Sequence, residues 1–312
     1  MLGLMSLLLR GPRLKQRTGR NMIPVCSPPS IRIPSMGNEA ALLKLALDEL
    51  GITLIRDLKA GGQKTVHLVD HEGVSRVLKL VEIPAAEPNA LERARREVAL
   101  LAGTEHANVV KVVSPLTELG NPVRGAAWME EFLDGGDLSD FLGGPWPAAE
   151  VREMGIAVSA GLSALHLQQV VHRDLSASNV RRLADGTYKV MDPGFAKHTL
   201  RTGLTVGGQP GTRGFMTPEH LQAYTGPTAA SDVFAVGQLM YFAATGFAPY
   251  PYKGDDAEYI TRLSAGHYTP LAQVRSDYPA ELLAVIERAL HPQPARRYRN
   301  GDALRVALEG TK

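Results

Sequence analysis

Nine residues carry the strongest signal in this sequence: His172-Arg173-Asp174-Leu175-Ser176-Ala177-Ser178-Asn179-Val180, with Met191-Asp192-Pro193-Gly194 a short distance downstream. An acid (Asp174), an amide five residues later (Asn179) and a second acid thirteen residues beyond that (Asp192) form a set of oxygen ligands that can hold Mg-ATP. The first acid stands where it could orient a hydroxyl nucleophile. Each residue alone is also a common turn former or helix cap, but at this spacing we interpret the three as one site.

The first part of the chain predicts a small β-sheet preceded by one helix. The helix and three strands are predicted at Ala41–Leu50, Ile52–Ile55, Thr65–Val69 and Val74–Val81. The turn signal Asp70-His71-Glu72-Gly73 joins the last two strands. Gly61 and Gly62 lie between the first two strands, where a glycine-containing hairpin could fold its backbone N–H groups over phosphates. Two adjacent glycines between strands are, however, more often only a turn.

Lys79 and Glu97 are charged residues on predicted apolar faces. Lys79 is in the middle of the third strand, on the same face as Val77 and Val81, because side chains alternate along a strand. The helix predicted for Asn89–Ala102 turns Glu97 toward its apolar side, which is formed by Leu91, Ala94, Val98, Leu101 and Ala102. An inward lysine followed by an inward acid predicts a Lys79–Glu97 ion pair. The alternatives are a lysine at a sheet edge that extends to solvent and a solvated helix charge.

The second half of the chain is predicted to be mainly helical. Helices are predicted at Ala148–Leu167, Val233–Ala244, Glu281–Leu290 and Asp302–Leu308. The second of these is apolar on nearly every side, which is typical of a helix in the centre of a large domain, and Asp232 is placed at its N-cap. A hairpin with Asp185-Gly186 as its turn leads into Lys189–Asp192. Asp174 and Asp192 are therefore expected beside this hairpin, facing one cleft.

Several further motifs make the chain resemble a eukaryotic-type (Hanks-type) serine/threonine protein kinase catalytic domain, because they follow one another in the order found in that family. His172–Val180 matches the fixed letters of the family's His-Arg-Asp-Leu-x-x-x-Asn motif, and other family segments match Gly211–Glu219, Ser231–Gly237 and Pro294–Tyr298. The resemblance covers roughly residues 52–310. It implies an α+β, bilobal protein-kinase fold with a small antiparallel β-sheet N-lobe carrying one helix and a larger, mainly helical C-lobe. We expect the N-lobe at residues 38–131, the C-lobe at 132–312, and a basic, disordered leader at 1–37.

The resemblance also implies a role for each of the residues above. Lys79, positioned by Glu97, would hold the α- and β-phosphates of ATP. Asp174 would accept or orient the proton of the substrate hydroxyl. Asn179 and Asp192 would ligate Mg²⁺, with Mn²⁺ as a substitute, so loss of this metal-binding acid should be the most damaging change. The residues implied to bind the nucleotide are Gly61, Gly62, Val66, Val77, Lys79, Glu131 and Leu133.

Three positions near the phosphates and the adenine depart from the family pattern. Of the family's Gly-x-Gly-x-x-Gly-x-Val, Lys59–Val66 keeps only the middle glycine; lysines at the outer positions could add phosphate contacts, but their side chains limit how closely the backbone approaches. The residue two past Asp174 is usually a lysine that contacts the γ-phosphate, and here it is Ser176. Val77 stands where the family has a small alanine over the adenine, so a tight nucleotide slot is expected.

Pro193 replaces the phenylalanine that usually follows the metal-binding acid and packs under the regulatory helix. A proline fixes its own φ. It could therefore hold Asp192 in one orientation and remove a common off switch, or it could reflect relaxed selection in a pseudokinase. Asp192 and Gly194 are intact on either side, so Pro193 raises a question about regulation and not about the family.

The implied activity is ATP- and Mg²⁺-dependent transfer of the γ-phosphate to serine and threonine hydroxyls of proteins, including its own. Gly211-Thr212 favours serine or threonine over tyrosine, and the candidate autophosphorylation sites are Thr199, Thr202 and Thr205. One alternative is a pseudokinase that acts as an ATP-responsive binding module. A small-molecule phosphotransferase of the antibiotic-kinase type shares the acid–amide–acid set, but Thr217-Pro218-Glu219 argues against it.

Composition and charge fit this interpretation. The chain has 312 residues, 44% of them apolar, and a formal net charge of +2. Residues 1–36 hold six basic and no acidic residues, so the remainder carries 28 basic against 32 acidic residues, which argues against nucleic-acid binding. Cys26 is the only cysteine, and no apolar run reaches the roughly 20 residues of a membrane span. We expect a cytoplasmic protein without stable membrane insertion, with ATP and a protein substrate as partners. The sequence does not indicate the oligomeric state.

The first 35 residues differ in character from the rest. Leu2–Leu9 is apolar, but its positive charges follow the run and do not precede it, unlike a secretory signal. The segment is arginine-rich and free of acids, which gives it some features of a transit peptide. We interpret it as a disordered leader, or as the product of an upstream start codon with Met22 or Met36 as the true start.

Overall fold

The first lobe is built on a five-stranded antiparallel sheet with the strand order β1-β2-β3-β5-β4. The computed structural model describes residues 36–58, 64–84, 89–193, 216–221 and 226–311. The strands are β1 (Thr53–Asp57), β2 (Lys64–His71), β3 (Val74–Glu82), β4 (Thr117–Leu119) and β5 (Gly125–Glu131). The hairpin from β2 to β3 turns at Glu72 and Gly73, with φ of 54° and 78°, at the turn signal read from the sequence.

The two faces of this sheet differ in composition. Helix α1 (Met36–Leu50) packs on one face, where a cluster of buried apolar residues consists of Leu42, Ala46, Ile52, Val69, Leu78, Leu80, Leu119, Ala127 and Met129. Lys79 lies between two members of this cluster in β3 and therefore points to the opposite face, as does its cross-strand partner Val66. Helix α2 (Ala90–Ala102) contacts β5 and contributes the buried Glu97 beside this second face. The charged residues of the site are thus separated from the apolar cluster by the sheet itself.

The second lobe is mainly helical and is organised around one buried helix. Its helices are α3 (Ala148–Leu167), α4 (Ala229–Thr245), α5 (Asp256–Ala265), α6 (Leu271–Val274), α7 (Ala280–Ala289) and α8 (Gly301–Glu309). Helix α4 packs against α3, α7 and α8 and is buried on nearly every side, as its apolar sequence predicts. It begins with a capping box between Thr228 and Ser231 and ends at Gly246 with φ of 81°.

A small three-stranded sheet lies at the start of the second lobe, next to the two segments that contain Asp174 and Asp192. Its strands are β6 (Gly136–Asp137), β7 (Val180–Arg182) and β8 (Tyr188–Val190), and the predicted hairpin between β7 and β8 turns at Gly186 with φ of 89°. The N–H of Val190 donates to the Asn108 carbonyl (2.9 Å), which ties β8 to the segment below the first lobe. Because residues 172–179 precede β7 and residues 191–192 follow β8, the hairpin brings these two segments together.

The predicted α+β, bilobal architecture is confirmed, while several details differ from the sequence-based prediction. Helix α1 begins at Met36 and not at Ala41, and β4, β5 and β6 have no counterpart among the predicted strands. Asp232 is not the N-cap of α4, because the helix begins three residues earlier. Ala102 is exposed at the end of α2, outside the apolar side predicted for that helix. Within the described residues, no helix combines the length and apolar character needed to cross a membrane.

Candidate active site

Asp174 and Asn179 lie together in the loop that precedes β7. The Asn179 amide Nδ2 donates to the Asp174 carbonyl (2.7 Å) and to Oδ2 of the Asp174 carboxylate (3.3 Å). A short 3₁₀ turn over Ala177–Asn179 directs the amide back toward the acid. The N–H of Met191 donates to the Asn179 carbonyl (2.9 Å), so the acid and amide are held next to the segment that carries Asp192.

Asp232 fixes the backbone on the other side of Asp174. Its Oδ2 accepts hydrogen bonds from the N–H of His172 (2.7 Å) and from Nε2 of His166 (2.9 Å), and its Oδ1 accepts from the N–H of Arg173 (2.9 Å). Nδ1 of His166 accepts from the N–H of Gly301 (3.0 Å), so the proton of the neutral imidazole is on Nε2. Arg173 has a φ of 68°, which is unfavourable for this residue type and is held by the bond to Asp232.

His172 connects the two segments of the site. Its Nε2 donates to the carbonyl of Met191 (2.8 Å), the residue before Asp192. Asp192 itself has a φ of 50°, and this left-handed conformation turns its carboxylate toward Lys79. The sequence interpretation assigned a role in the site to neither His172 nor Asp232. A single acid near the start of an otherwise apolar helix was the available signal for Asp232, and it was misread as a helix cap.

Lys79 joins the first lobe to the second through Asp192. Its Nζ lies 2.7 Å from Oδ1 of Asp192 and 2.7 Å from Oε2 of Glu130, and the lysine side chain is only 4% exposed. Burial alone lowers the pKa of Lys79, but the two carboxylates outweigh it and raise that pKa above its ordinary value. Burial likewise raises the pKa of Asp192, but Lys79 and Lys64 outweigh this and hold it below its ordinary value. Both side chains are therefore charged at neutral pH.

The predicted Lys79–Glu97 ion pair is not formed, because each residue has a different partner. Glu97 pairs with Lys64 of β2, and its side chain is 2% exposed. Lys79 pairs instead with Glu130 of β5, which the sequence interpretation did not single out. Burial raises the pKa of Glu97 above its ordinary value even though Lys64 opposes the shift. The expectation that Lys79 is positioned by direct contact with Glu97 was therefore wrong.

Apart from Lys79 and Glu131, the residues expected around the nucleotide fall into three groups. Val66 and Val77 project from the same sheet face as Lys79, and Val77 is paired across the sheet with Glu130. Leu133 is buried, and its carbonyl accepts from Nε of Arg181 (3.2 Å). Gly61 and Gly62, the remaining two, lie outside the described residues.

Glu131 differs from the other residues expected at the nucleotide because one of its carboxylate oxygens and its backbone N–H are already engaged. Its carboxylate Oε1 accepts from Nζ of Lys189 (2.6 Å) and from the N–H of Lys111 (2.8 Å). Its own N–H donates to the Lys111 carbonyl (2.9 Å). The side chain of Glu131 is therefore committed to β8 and to the segment beside β5, and not to the face that carries Lys79.

The donor set around Asp192 fits a magnesium ion. Because the Asn179 amide nitrogen is committed to Asp174, its amide oxygen remains as a hard oxygen ligand, and the Asp192 carboxylate supplies another. Of the three carboxylates around the two lysines, that of Asp192 is the most exposed, at 37% against 2% for Glu97 and 3% for Glu130. Ser176, which replaces the usual lysine, is buried, and its hydroxyl lies 3.1 Å from that of Ser178.

The Thr217-Pro218-Glu219 segment is anchored to the end of the second lobe. Pro218–Leu221 forms a short 3₁₀ turn, and Oε1 of the buried Glu219 lies 2.8 Å from Nη2 of the buried Arg297. The family resemblance implies this pair, because the arginine of the late motif matched by Pro294–Tyr298 pairs in the family with the acid of the Pro-Glu segment. The predictions for Gly194, Thr199, Thr202, Thr205, Gly211 and Thr212 lie outside the described residues.

Comparison with known proteins gives consistent results. The family model described as "Protein kinase domain" matches residues 56–307. The chain is 31% identical over 272 residues to the serine/threonine-protein kinase Pkn1 of Myxococcus xanthus, covering 82% of this chain and 37% of Pkn1. It is 30% identical over 304 residues to the tyrosine-protein kinase MasK of Myxococcus xanthus, covering 91% of this chain and 46% of MasK. It therefore spans less than half the length of these two curated relatives.

A solved structure supports the same fold. The kinase domain of Mycobacterium tuberculosis PknI is similar to this chain with a TM-score of 0.61 and 24% sequence identity. The match covers 83% of this chain and 94% of that structure. At this level of identity the similarity concerns the fold alone.

Proposed function

This chain belongs to the protein kinase domain family, and we propose that it transfers the γ-phosphate of ATP to serine and threonine hydroxyls of proteins, its own included. The observation that carries the proposal is the Lys79–Asp192 contact of 2.7 Å, which joins a strand of the first lobe to the site of the second. Together with the Asn179–Asp174 bonds, it supports a single cleft with a cation for phosphates and a carboxylate for the acceptor hydroxyl.

In this proposal each side chain acts by position and charge. Asp174 orients the acceptor hydroxyl and accepts its proton as the new phosphate ester forms, while the bond from the γ-phosphorus to the bridging oxygen breaks and that oxygen leaves on ADP. Lys79 donates hydrogen bonds to phosphate oxygens. Asn179 and Asp192 would hold Mg²⁺, which would neutralise charge on the triphosphate. Asp232 keeps the backbone at Arg173 in place and so sets the direction from which Asp174 approaches the hydroxyl.

The proposal is tested by incubating the full chain with labelled ATP, Mg²⁺ or Mn²⁺, and a generic basic protein. Wild type should label itself or the added protein, and both Asp174→Ala and Asp192→Ala should reduce labelling by at least about 100-fold. Asp256→Ala, an exposed acid on α5, is the matched control and should not change the rate. Nucleotide-dependent thermal stabilisation of wild type without any transfer would favour the pseudokinase alternative and contradict the proposal.

The class of acceptor hydroxyl is tested on the labelled product. The named relatives include both a serine/threonine-protein kinase and a tyrosine-protein kinase, so the fold alone does not choose between them. We expect phosphoserine and phosphothreonine after acid hydrolysis of the labelled protein. Phosphotyrosine as the main product would contradict the serine/threonine part of the proposal and leave the kinase part intact.

A further inference from the structure

Two lysines in the sheet of the first lobe each have a buried carboxylate partner. Lys64 of β2 is paired with Glu97 of α2, and Lys79 of β3 is paired with Glu130 of β5. The Glu130 carboxylate uses both oxygens, because Oε2 contacts Lys79 (2.7 Å) and Oε1 accepts from Nε1 of Trp128 (3.1 Å). A buried acid whose two oxygens are both engaged holds its lysine in one place.

Lys64 and Lys79 extend into the same space. Lys64 is two residues before Val66, the cross-strand partner of Lys79, so both lysines project from one face of the sheet. Nζ of Lys64 lies 3.7 Å from Oδ1 of Asp192, the atom that Lys79 contacts at 2.7 Å. The Lys64 ammonium also lies 5.2 Å from the ring centroid of Trp128. Two cations therefore flank the acid that we propose as a metal ligand.

Lys64 is the more accessible of the two cations. Its side chain is 18% exposed, compared with 4% for Lys79. An ammonium group has three N–H donors. Within the described part of the chain, Lys79 directs its donors to Glu130 and Asp192, whereas Lys64 is hydrogen-bonded to Glu97. An incoming phosphate can thus reach Lys64 without displacing the pair that holds it.

We propose that Lys64 is a second phosphate-contacting residue of the nucleotide site, that Glu97 is its positioning residue, and that Glu130 is the positioning residue of Lys79. This assignment rests on the proposed function, since it presumes that a nucleotide binds between the lobes. The sequence interpretation assigned the phosphates to Lys79, positioned by Glu97. In the present assignment Lys64 and Lys79 both contact the phosphates, and each is oriented by its own buried acid. The raised pKa of Glu97 shows that burial works against this charged acid, a pattern common at functional sites.

The pairing is tested first without nucleotide, by double-mutant cycles on the urea unfolding of the full chain. The single variants are Lys64→Met, Lys79→Met, Glu97→Gln and Glu130→Gln, with the corresponding double variants. We expect coupling of at least about fivefold in the unfolding equilibrium constant for the 64–97 and 79–130 pairs, and little for 79–97. Coupling confined to 79–97 would overturn the assignment.

The phosphate contact is tested by comparing Mg-ATP with adenosine, which lacks the phosphates and the metal ion that they bind. Lys64→Met should raise the Kd of Mg-ATP by about 10- to 100-fold, the loss expected for a charge-assisted hydrogen bond, and leave the Kd of adenosine unchanged. Lys64→Arg, which keeps the cation, should recover part of the affinity. Lys111→Met is the matched control, because this lysine is 62% exposed and pairs weakly with Glu105 at 3.5 Å; it should change neither Kd.

The outcomes separate this proposal from the proposed function. If wild type binds Mg-ATP and Lys64→Met binds it equally well, the assignment of Lys64 is overturned while the kinase proposal stands. Equal weakening of adenosine and Mg-ATP by Lys64→Met would show a structural effect and also overturn it. If wild type binds neither ligand, the proposed function itself fails, and the unfolding cycles still decide which lysine each acid holds.

Discussion

Replacing Asp232 by asparagine is expected to lower the free energy of unfolding, although the side chain keeps its size. The buried carboxylate accepts from three N–H groups, those of His172, Arg173 and His166. An asparagine has one acceptor oxygen, so in either orientation its NH₂ group must face at least one of these donors. His166 cannot relieve the conflict by moving its proton, because its Nδ1 accepts from the N–H of Gly301.

The size of the effect follows from the number of donors left without an acceptor. A buried donor without a partner costs about 1–3 kcal/mol, so Asp232→Asn should lower the free energy of unfolding by that amount. Asp232→Ala leaves three such donors and, on the same figure, should cost about 3–9 kcal/mol. The rate of phosphate transfer should fall in both variants, because the same bonds hold Arg173 at a φ of 68°, directly before Asp174.

The measurement is urea unfolding followed by the fluorescence of Trp128 and Trp146. Asp255→Asn is the matched control: Asp255 accepts from the N–H groups of Ala257 and Glu258 at the exposed start of α5, where asparagine caps nearly as well. This control should stay within about 0.5 kcal/mol of wild type. If Asp232→Asn also stays within that margin, the hydrogen-bond reasoning is refuted.

Two further predictions test the packing and the electrostatics. Gly161→Ala should lower the free energy of unfolding by about 2–3 kcal/mol in urea, because the new Cβ would lie 2.4 Å from the Asn108 carbonyl oxygen. The control Gly143→Ala, whose Cβ would have no neighbour within 4 Å, should lower it by less than about 1 kcal/mol. Equal losses of stability in the two variants would contradict this reasoning. Burial raises the pKa of Glu97 despite Lys64, so the folded state binds that proton more tightly than the unfolded chain does. The free energy of unfolding of wild type, measured relative to that of Glu97→Gln, should therefore decrease as pH rises from 4.5 and become constant above the folded-state pKa of Glu97. A difference between the two proteins that does not change with pH would contradict the raised pKa.

Strands β4 and β5 illustrate where the sequence pattern carried too little information. β5 is buried on both sides along Gly125–Glu130, so it shows no alternation of apolar and polar residues. It also contains Glu130, an acid whose burial is compensated by Lys79 and Trp128. β4 has only three residues and is too short for any periodicity. By contrast, α3 was predicted with its observed bounds, because a 20-residue amphipathic repeat is a long and local signal.

The motifs and their order in the sequence were sufficient for the family resemblance, and the resemblance implied the fold class. Helical periodicity and turn residues predicted individual elements, and a five-residue spacing predicted the Asp174–Asn179 arrangement, because these signals act within a short stretch of chain. The tertiary structure decided which acid holds which lysine. Lys79 and Asp192 are 113 residues apart, and Lys64 and Glu97 are 33 apart. Several carboxylates lie close to the two ammonium groups, and the choice among them depends on distance and burial. Only the packing of β2, β3, β5 and α2 against one another sets those quantities.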